Sequence, residues 1–400
     1  MQLKTLTVSG FRSLKHDIKW QPGNLNILIG PNGSGKSNIL RTIDLLAASA
    51  QGRLDNMVRS AGGIEPLLWD GSAEAIELMV DCTPTESFRN PLRESLTYKL
   101  KLDRNVKSSD YRIGFELLGN YHQVRNGQQA EPFKFLESDG RSAKIFDENH
   151  RSLTAPQGTI PEFETLLSLA ADPFSQNRVI TAFRAQMASW NIYHDFNTGP
   201  ESAVRKPAVT RLERRVAADG QNLIPVLHTL YTGDRDFKRE INAAMAAAFG
   251  DDFEELVFAP AADQRIGLRV RWRSLRREQS AADLSDGTLR FLFLLTVLAS
   301  PDAAPVIAID EPESGLHPSM ERIIAEFAVA ASANSQIILA THSPHLLDAF
   351  SRCDLTTTVV KWSDGTSRLT TLPQDQLAKW LEHYTLGDLH RSGELEGLAT

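Results

Sequence analysis

Eight consecutive residues, Gly30-Pro31-Asn32-Gly33-Ser34-Gly35-Lys36-Ser37, satisfy the pattern G-x-x-x-x-G-K-[ST] at every fixed position. In such a loop Gly33 and Gly35 let backbone N–H groups turn inward around phosphate oxygens with no Cβ in the way, and Asn32 and Ser34 belong to the same cradle. Lys36 can set its ammonium on β and γ phosphates, and the Ser37 hydroxyl is a hard oxygen ligand for Mg²⁺. The positive end of a following helix adds to the attraction. The chemistry implied is nucleotide binding.

Three further segments carry reactive groups. Val306-Ile307-Ala308-Ile309 is a β-branched, apolar strand that ends in two carboxylates, Asp310 and Glu311. Asp310 is placed to hold Mg²⁺, directly or through water, and Glu311 to orient or deprotonate an attacking water. Ile337-Ile338-Leu339-Ala340 is a second buried strand, and it leads to His342, which can sense a γ-phosphate. Leu284-Ser285-Asp286-Gly287-Thr288 opens a helix: Ser285 and Asp286 are good cap residues, and Gly287 keeps the backbone accessible.

The elements needed to position these groups are legible around them. Leu25 to Ile29 reads as a short apolar strand before the glycine loop, and Ser37 to Ala50 as the helix after it. From Ile76 to Thr154 polar and apolar residues alternate between turn signals at Asn126-Gly127, Asp139-Gly140 and Glu148-Asn149, which predicts an antiparallel sheet with one wet face. Pro161 to Phe249 is mostly helical by pattern, and the last third returns to α/β alternation. The expected division is an N-terminal lobe 1–80, an inserted β and helical subdomain 81–250, and a C-terminal lobe 251–400.

Composition limits the alternatives. At 42% hydrophobic and 23% charged residues the chain can build a sizeable core. A net charge of −7 means that any nucleic-acid contact must come from a local patch. Two cysteines, Cys82 and Cys353, exclude a disulfide framework and a four-cysteine zinc site. With no signal-peptide pattern, and an apolar run from Phe291 to Ala299 too short to span a bilayer, the expectation is a soluble cytoplasmic protein with no membrane partner.

Taken together, the four segments resemble an ABC-type ATPase, in the order Walker A, signature, Walker B and switch histidine. The similarity is to the RecF/SMC-like branch, including the ATPase part of overcoming-lysogenisation-defect nucleases. Gly10-Phe11-Arg12-Ser13-Leu14 matches the turn that precedes Walker A there. The signature reads Leu-Ser-Asp-Gly-Thr, and Walker B continues Glu311-Pro312-Glu313-Ser314-Gly315-Leu316-His317-Pro318. The motifs lie in residues 1–70 and 280–350, and Tyr384 to Leu395 resembles the tail of stand-alone ATPases of this group.

The resemblance implies an α/β fold: an ABC-type P-loop ATPase head with a mixed central sheet, an antiparallel β lobe and a helical insertion. It implies ATP and Mg²⁺, hydrolysis, and a homodimer that sandwiches two ATPs. Lys36, Ser37, Asp310 and Glu311 of one copy would face Ser285 and Gly287 of the other across the γ-phosphate, with His342 as the switch histidine, and Glu313 to Leu316 would cross between sites as the D-loop. Gln51 and Gln186 are both candidates for the lobe-coupling glutamine. No long coiled coil is seen, so DNA bridging is not expected, and no second acidic cluster or Toprim-like domain is seen after His342, so a nuclease activity in this chain is not expected.

Two uses for such a switch follow: DNA maintenance or phage defence with direct sensing of DNA, or a regulatory scaffold for a separate effector such as a nuclease. The signature and the Walker B continuation argue against a transporter subunit. The clue for double-stranded DNA is Arg269, Arg271 and Arg273, which alternate along one strand face, with Arg276 and Arg277 beyond; the alternative is a solvated strand paired with acids. Arg205, Lys206, Arg211, Arg214 and Arg215 are spaced around Leu212 and Val216 as on a charged helix face.

Overall fold

The computed structural model describes residues 1–83, 95–105, 109–120, 133–147, 151–155, 161–170 and 177–398. The turn signals Asn126-Gly127 and Glu148-Asn149 lie outside these residues. Two compact units form, each from separated stretches: Met1–Gly23, Gly30–Trp190 and Thr358–Thr371 in the first, Asn24–Ile29, Asn191–Thr357 and Leu372–Thr400 in the second. Strands and helices are numbered along the whole chain.

The first unit is organised on an eight-stranded antiparallel sheet. Its strands are β1 (Leu3–Ser9), β2 (Ile18–Trp20), β4 (Ala75–Cys82), β5 (Leu96–Arg104), β6 (Tyr111–Asn120), β7 (Phe133–Ser138), β8 (Ala143–Asp147) and β9 (Ser152–Thr154), in the order β2-β1-β4-β5-β6-β7-β8-β9. Alternation creates the buried face. In β4 the even residues Ile76, Leu78, Val80 and Cys82 are buried, and the register sets Leu78 opposite Leu100 and Val80 opposite Tyr98. At the expected Asp139-Gly140 turn the Asp139 carboxylate accepts the N–H groups of Arg141 and Ser142 while Gly140 takes φ +78°.

This unit also holds helices α1 (Lys36–Gln51), α2 (Leu54–Ser60), α3 (Leu166–Ala170) and α4 (Arg178–Ala188), and a hairpin of β17 (Thr356–Ser363) with β18 (Thr366–Thr371). A fully buried carboxylate joins α3 to the sheet: Glu116 accepts the N–H groups of Leu166 and Leu167 at 2.6 and 2.8 Å and the Tyr98 hydroxyl at 2.9 Å. Burial pushes its pKa up to about 7.

The second unit contains a parallel sheet, β10-β15-β16-β3, of β3 (Leu25–Ile29), β10 (Asn191–Tyr193), β15 (Val306–Asp310) and β16 (Gln336–Ala340). Every residue of β3, β15 and β16 is buried, as expected for runs without polar alternation. Within β3 the buried Asn26 side chain donates to the Ile337 carbonyl at 3.0 Å. A smaller antiparallel sheet comprises β11 (Ala208–Val209), β12 (Phe253–Ala261), β13 (Arg265–Trp272) and β14 (Gln279–Ser280). The helices are α5 (Leu223–Gly233), α6 (Arg235–Phe249), α7 (Asp286–Leu298), α8 (Pro318–Ala331), α9 (Pro344–Phe350), α10 (Gln374–Leu381), α11 (Leu386–Arg391) and α12 (Glu394–Leu398). Among the described residues, no helix is long and apolar enough to cross a membrane.

One expected element does not form. The basic stretch begins at the end of the 3₁₀ turn Ala203–Arg205 and runs to Arg215 as irregular chain with the short strand β11, and Leu212 is 92% exposed. A helix there would need an apolar stripe to bury. Instead the stretch and its continuation are held by side chains of the following segment: Thr229 donates to the Arg211 carbonyl and Asn222 accepts the Ala217 N–H.

Candidate functional site

The glycine loop lies in the first unit, between the end of β3 and α1. Its glycines take φ values of +148° (Gly30), +78° (Gly33) and +106° (Gly35), which only glycine adopts freely. A Cβ on Gly35 would stand 2.1 Å from the Ser367 hydroxyl and 2.6 Å from that of Ser13. These two serines brace the loop from behind. Ser367 donates to the Ser34 carbonyl at 2.6 Å and lies 2.7 Å from the Ser13 hydroxyl, which also accepts from the Asn38 amide at 2.8 Å. Helix α1 opens on Gly35 without a side-chain cap.

Lys36 is buried and donates to the loop's own carbonyls, Gly30 at 2.7 Å and Pro31 at 3.3 Å. Ser37 is half-buried, and Asn32 and Gly33 are exposed. The two candidate glutamines are engaged within the same unit: Gln51 donates to the Ala188 carbonyl, and the Gln186 oxygen accepts from the chain's N-terminal amine.

Ser285, Gly287, Asp310, Glu311 and His342 all lie in the second unit. Parallel pairing of Asp310 with Ala340 brings the ends of β15 and β16 together, so the segments that follow them are neighbours. Asp310 is 9% exposed; its Oδ1 is buried without a hydrogen-bond partner among the described residues, and its Oδ2 is 3.5 Å from His194 Nδ1. A buried anionic oxygen with no donor fits a cation ligand. Among the described residues no group of three His, Cys, Asp or Glu could cage a metal.

Glu311 has φ +48°, a left-handed backbone that costs energy for a side-chain residue, and its N–H is fixed to the Ala340 carbonyl at 2.8 Å. Its side chain is 46% exposed and accepts from the Ser314 hydroxyl at 3.1 Å. Arg290, on α7, donates to the Glu311 carbonyl at 2.8 Å. Burial lowers the pKa of that guanidinium, and the carboxylates of Glu313 and Glu311 oppose the shift. His342 Nδ1 lies 3.8 Å from Glu311 and 3.3 Å from Glu313.

The signature segment caps α7 as expected: the Ser285 hydroxyl accepts the Thr288 N–H at 3.1 Å. Gly287 has a specific steric reason, since a Cβ there would meet the Gly315 carbonyl at 2.6 Å. Arg205 holds the segment from outside the motif. It donates to the carbonyls of Ala281, Ala282 and Leu284 at 3.2, 3.1 and 2.7 Å, to that of Thr198 at 2.6 Å, and to the Asp286 carboxylate. Hydrogen bonds from Thr198 and Arg205 hold Asp286 below the usual carboxylate range.

Sequence reasoning missed His194, Arg290 and Ser367 and read Arg205 as part of a charged helix face; all four reach their partners across distant stretches of chain and carry no local signature. The strand arginines occupy β13 as expected, but Arg271 is ion-paired with Glu255 and Glu278, and Arg269 lies 3.7 Å from Glu278. Arg273 is exposed beyond the strand.

Comparison with known proteins decides the family. The profile described as "AAA domain, putative AbiEii toxin, Type IV TA system" matches residues 25–348. The chain belongs to this family. An OLD nuclease of Thermus scotoductus is 24% identical over 355 residues, 86% of this chain and 60% of that protein. The "Retron Ec83 probable ATPase" of Escherichia coli is 23% identical over 372 residues, 85% of this chain and 68% of that protein. The chain therefore spans only 60% of the OLD nuclease's length. In fold it is similar to an Smc head solved with the C-winged helix domain of ScpA, at TM-score 0.57 and 15% identity over 95% of this chain and 100% of that one. The AAA-family chain thus resembles RecF/SMC-like ABC ATPases and OLD nucleases, and has the mixed α/β fold of an SMC head.

Proposed function

We propose that this chain binds Mg-ATP, hydrolyses it, and uses the cycle to join and release two copies of itself, as a switch in DNA maintenance or phage defence. The observation that carries the reading is the pairing of a strained, positive-φ Glu311 with a buried, partnerless Asp310 oxygen at the end of one strand. Asn32 to Ser37 would receive the phosphates on backbone N–H groups, with Lys36 turning from the Gly30 carbonyl to neutralise charge. Ser37 and Asp310 would hold Mg²⁺, which supplies charge neutralisation at the phosphates. Glu311 would take the proton of the attacking water, and His342 would contact the reacting end. Ser285 and Gly287 would complete the site of a second copy, their helix start being suited to an anion.

The first test is Lys36→Ala, which should abolish binding of a fluorescent ATP analogue; undiminished affinity would overturn the loop assignment. The role in defence or maintenance draws on the relatives, an OLD nuclease and a retron ATPase. The pairing of Arg269 and Arg271 with Glu255 and Glu278 favours a second reading, a scaffold that controls a separate effector without binding DNA itself. DNA-stimulated turnover that falls steeply with salt would select direct sensing. Turnover indifferent to DNA, with a neighbouring gene product co-purifying, would select the scaffold.

A further inference from the structure

The carboxylate of Glu313, two residues beyond Glu311, is 8% exposed, and its visible hydrogen bonding goes to the switch segment. Its Oε1 accepts the Thr341 hydroxyl at 2.7 Å and the His342 N–H at 3.0 Å, and lies 3.3 Å from His342 Nδ1. Its Oε2 is buried with no hydrogen-bond partner among the described residues. The polarity of this cluster is fixed. The Thr341 oxygen accepts the Ser343 N–H at 3.0 Å, so its own proton is directed to Glu313. Ser343 in turn donates to the buried Glu321, whose carboxyl burial pushes upward in pKa. Thr341, His342 and Ser343 thus hang between two buried carboxylates.

We infer that Glu313 is a positioning residue for His342: one carboxylate oxygen accepts its main-chain N–H and stands 3.3 Å from its ring Nδ1, an approach that favours Nδ1–H turned inward and leaves Nε2 for the reacting end. A buried carboxylate is costly unless donors meet it, so the donors of this segment are held where the carboxylate stands. A neutral ring that donates through Nδ1 has Nε2 as its acceptor, the opposite of the tautomer favoured in water. This gives the Glu313 carboxylate a role within its own chain. The inference rests on the proposed role of His342.

The test uses ¹⁵N-histidine ring spectra of the full chain, with the His342 signals assigned by their loss in His342→Asn. The parent should show Nδ1 protonated, and Glu313→Ala should shift His342 toward Nε2–H. With turnover measured alongside, Glu313→Ala should lose at least about 10-fold in kcat with KM within about 2-fold. Glu313→Gln, which keeps an acceptor oxygen, should restore at least about 3-fold of that loss. If Glu313→Ala does not fold, Glu313→Gln carries the test through a displaced Nδ1 signal. An unchanged His342 ring spectrum in the variant overturns the inference whether or not the parent hydrolyses ATP. A shifted spectrum in a parent that hydrolyses no ATP would sink only the proposed activity.

Discussion

The glycine loop of the first unit and the reactive segments of the second are held in different ways. Around Gly30 to Ser37 the supports are neutral and short: the Ser13 and Ser367 hydroxyls, the Asn38 amide and glycines in conformations closed to other residues. Around Ser285, Glu311 and His342 the supports are buried or half-buried charges: Arg205, Arg290, Glu313 and Glu321. A cradle for phosphate must present many backbone donors at fixed geometry, which steric constraint achieves. Loops that must change partners between states suit long charged side chains, whose bonds are strong but few. The first kind should fail by strain, the second by loss of a single side chain.

The largest effect should come from the chemistry itself. Glu311→Gln should lower turnover about 10²–10⁴-fold while leaving nucleotide affinity near the parent's. Steady-state kinetics beside equilibrium binding checks it, and normal turnover would remove Glu311 as the base. Next is Arg205→Ala, which leaves the carbonyls of Ala281, Ala282 and Leu284 without their donor. Denaturant unfolding should show a loss of about 3–4 kcal/mol. A change below about 1 kcal/mol would show that the signature segment does not depend on that charge.

Glu116, like Lys36, is a buried ionisable group of the first unit, away from the hydroxyls that brace the loop. Its folded pKa of about 7 lies above the ordinary carboxylate value, so its contribution to stability is full below about pH 4.5. That contribution disappears as pH rises through 7, a loss of about 3 kcal/mol. Unfolding free energies of the parent against Glu116→Gln should diverge over that window. A parallel pH dependence would show that Glu116 is not the buried acid. The smallest effect is Gly35→Ala, about 2 kcal/mol from a Cβ forced against Ser367 at a positive φ. Ser367→Ala in the same background should recover part of it, and no recovery would place the strain in the backbone alone.

Much of this was legible in the chain because the signals are local. A glycine loop, a cap such as Ser285, and apolar runs like Val306 to Ile309 announce themselves within a few residues. The antiparallel sheet was legible by its alternation, but not that β1 joins it beside β4, since that pairing spans about seventy residues of chain. The resemblance put Glu313 in a loop that crosses to a second copy, and gave no sign that its carboxylate is buried against Thr341 and His342 of its own chain. The basic stretch at 205–215 misled because charge spacing mimics a helix face. Arg205 is in fact fixed by carbonyls some eighty residues away, which no periodicity encodes.

The central claim, a switch that closes on ATP, is most directly tested by the solution mass of Glu311→Gln with and without Mg-ATP. Light scattering should give the chain's 44.3 kDa without nucleotide and twice that with it. The further change Ser285→Arg should return the mass to a single copy. A Glu311→Gln protein that binds ATP yet stays at one copy would contradict the account.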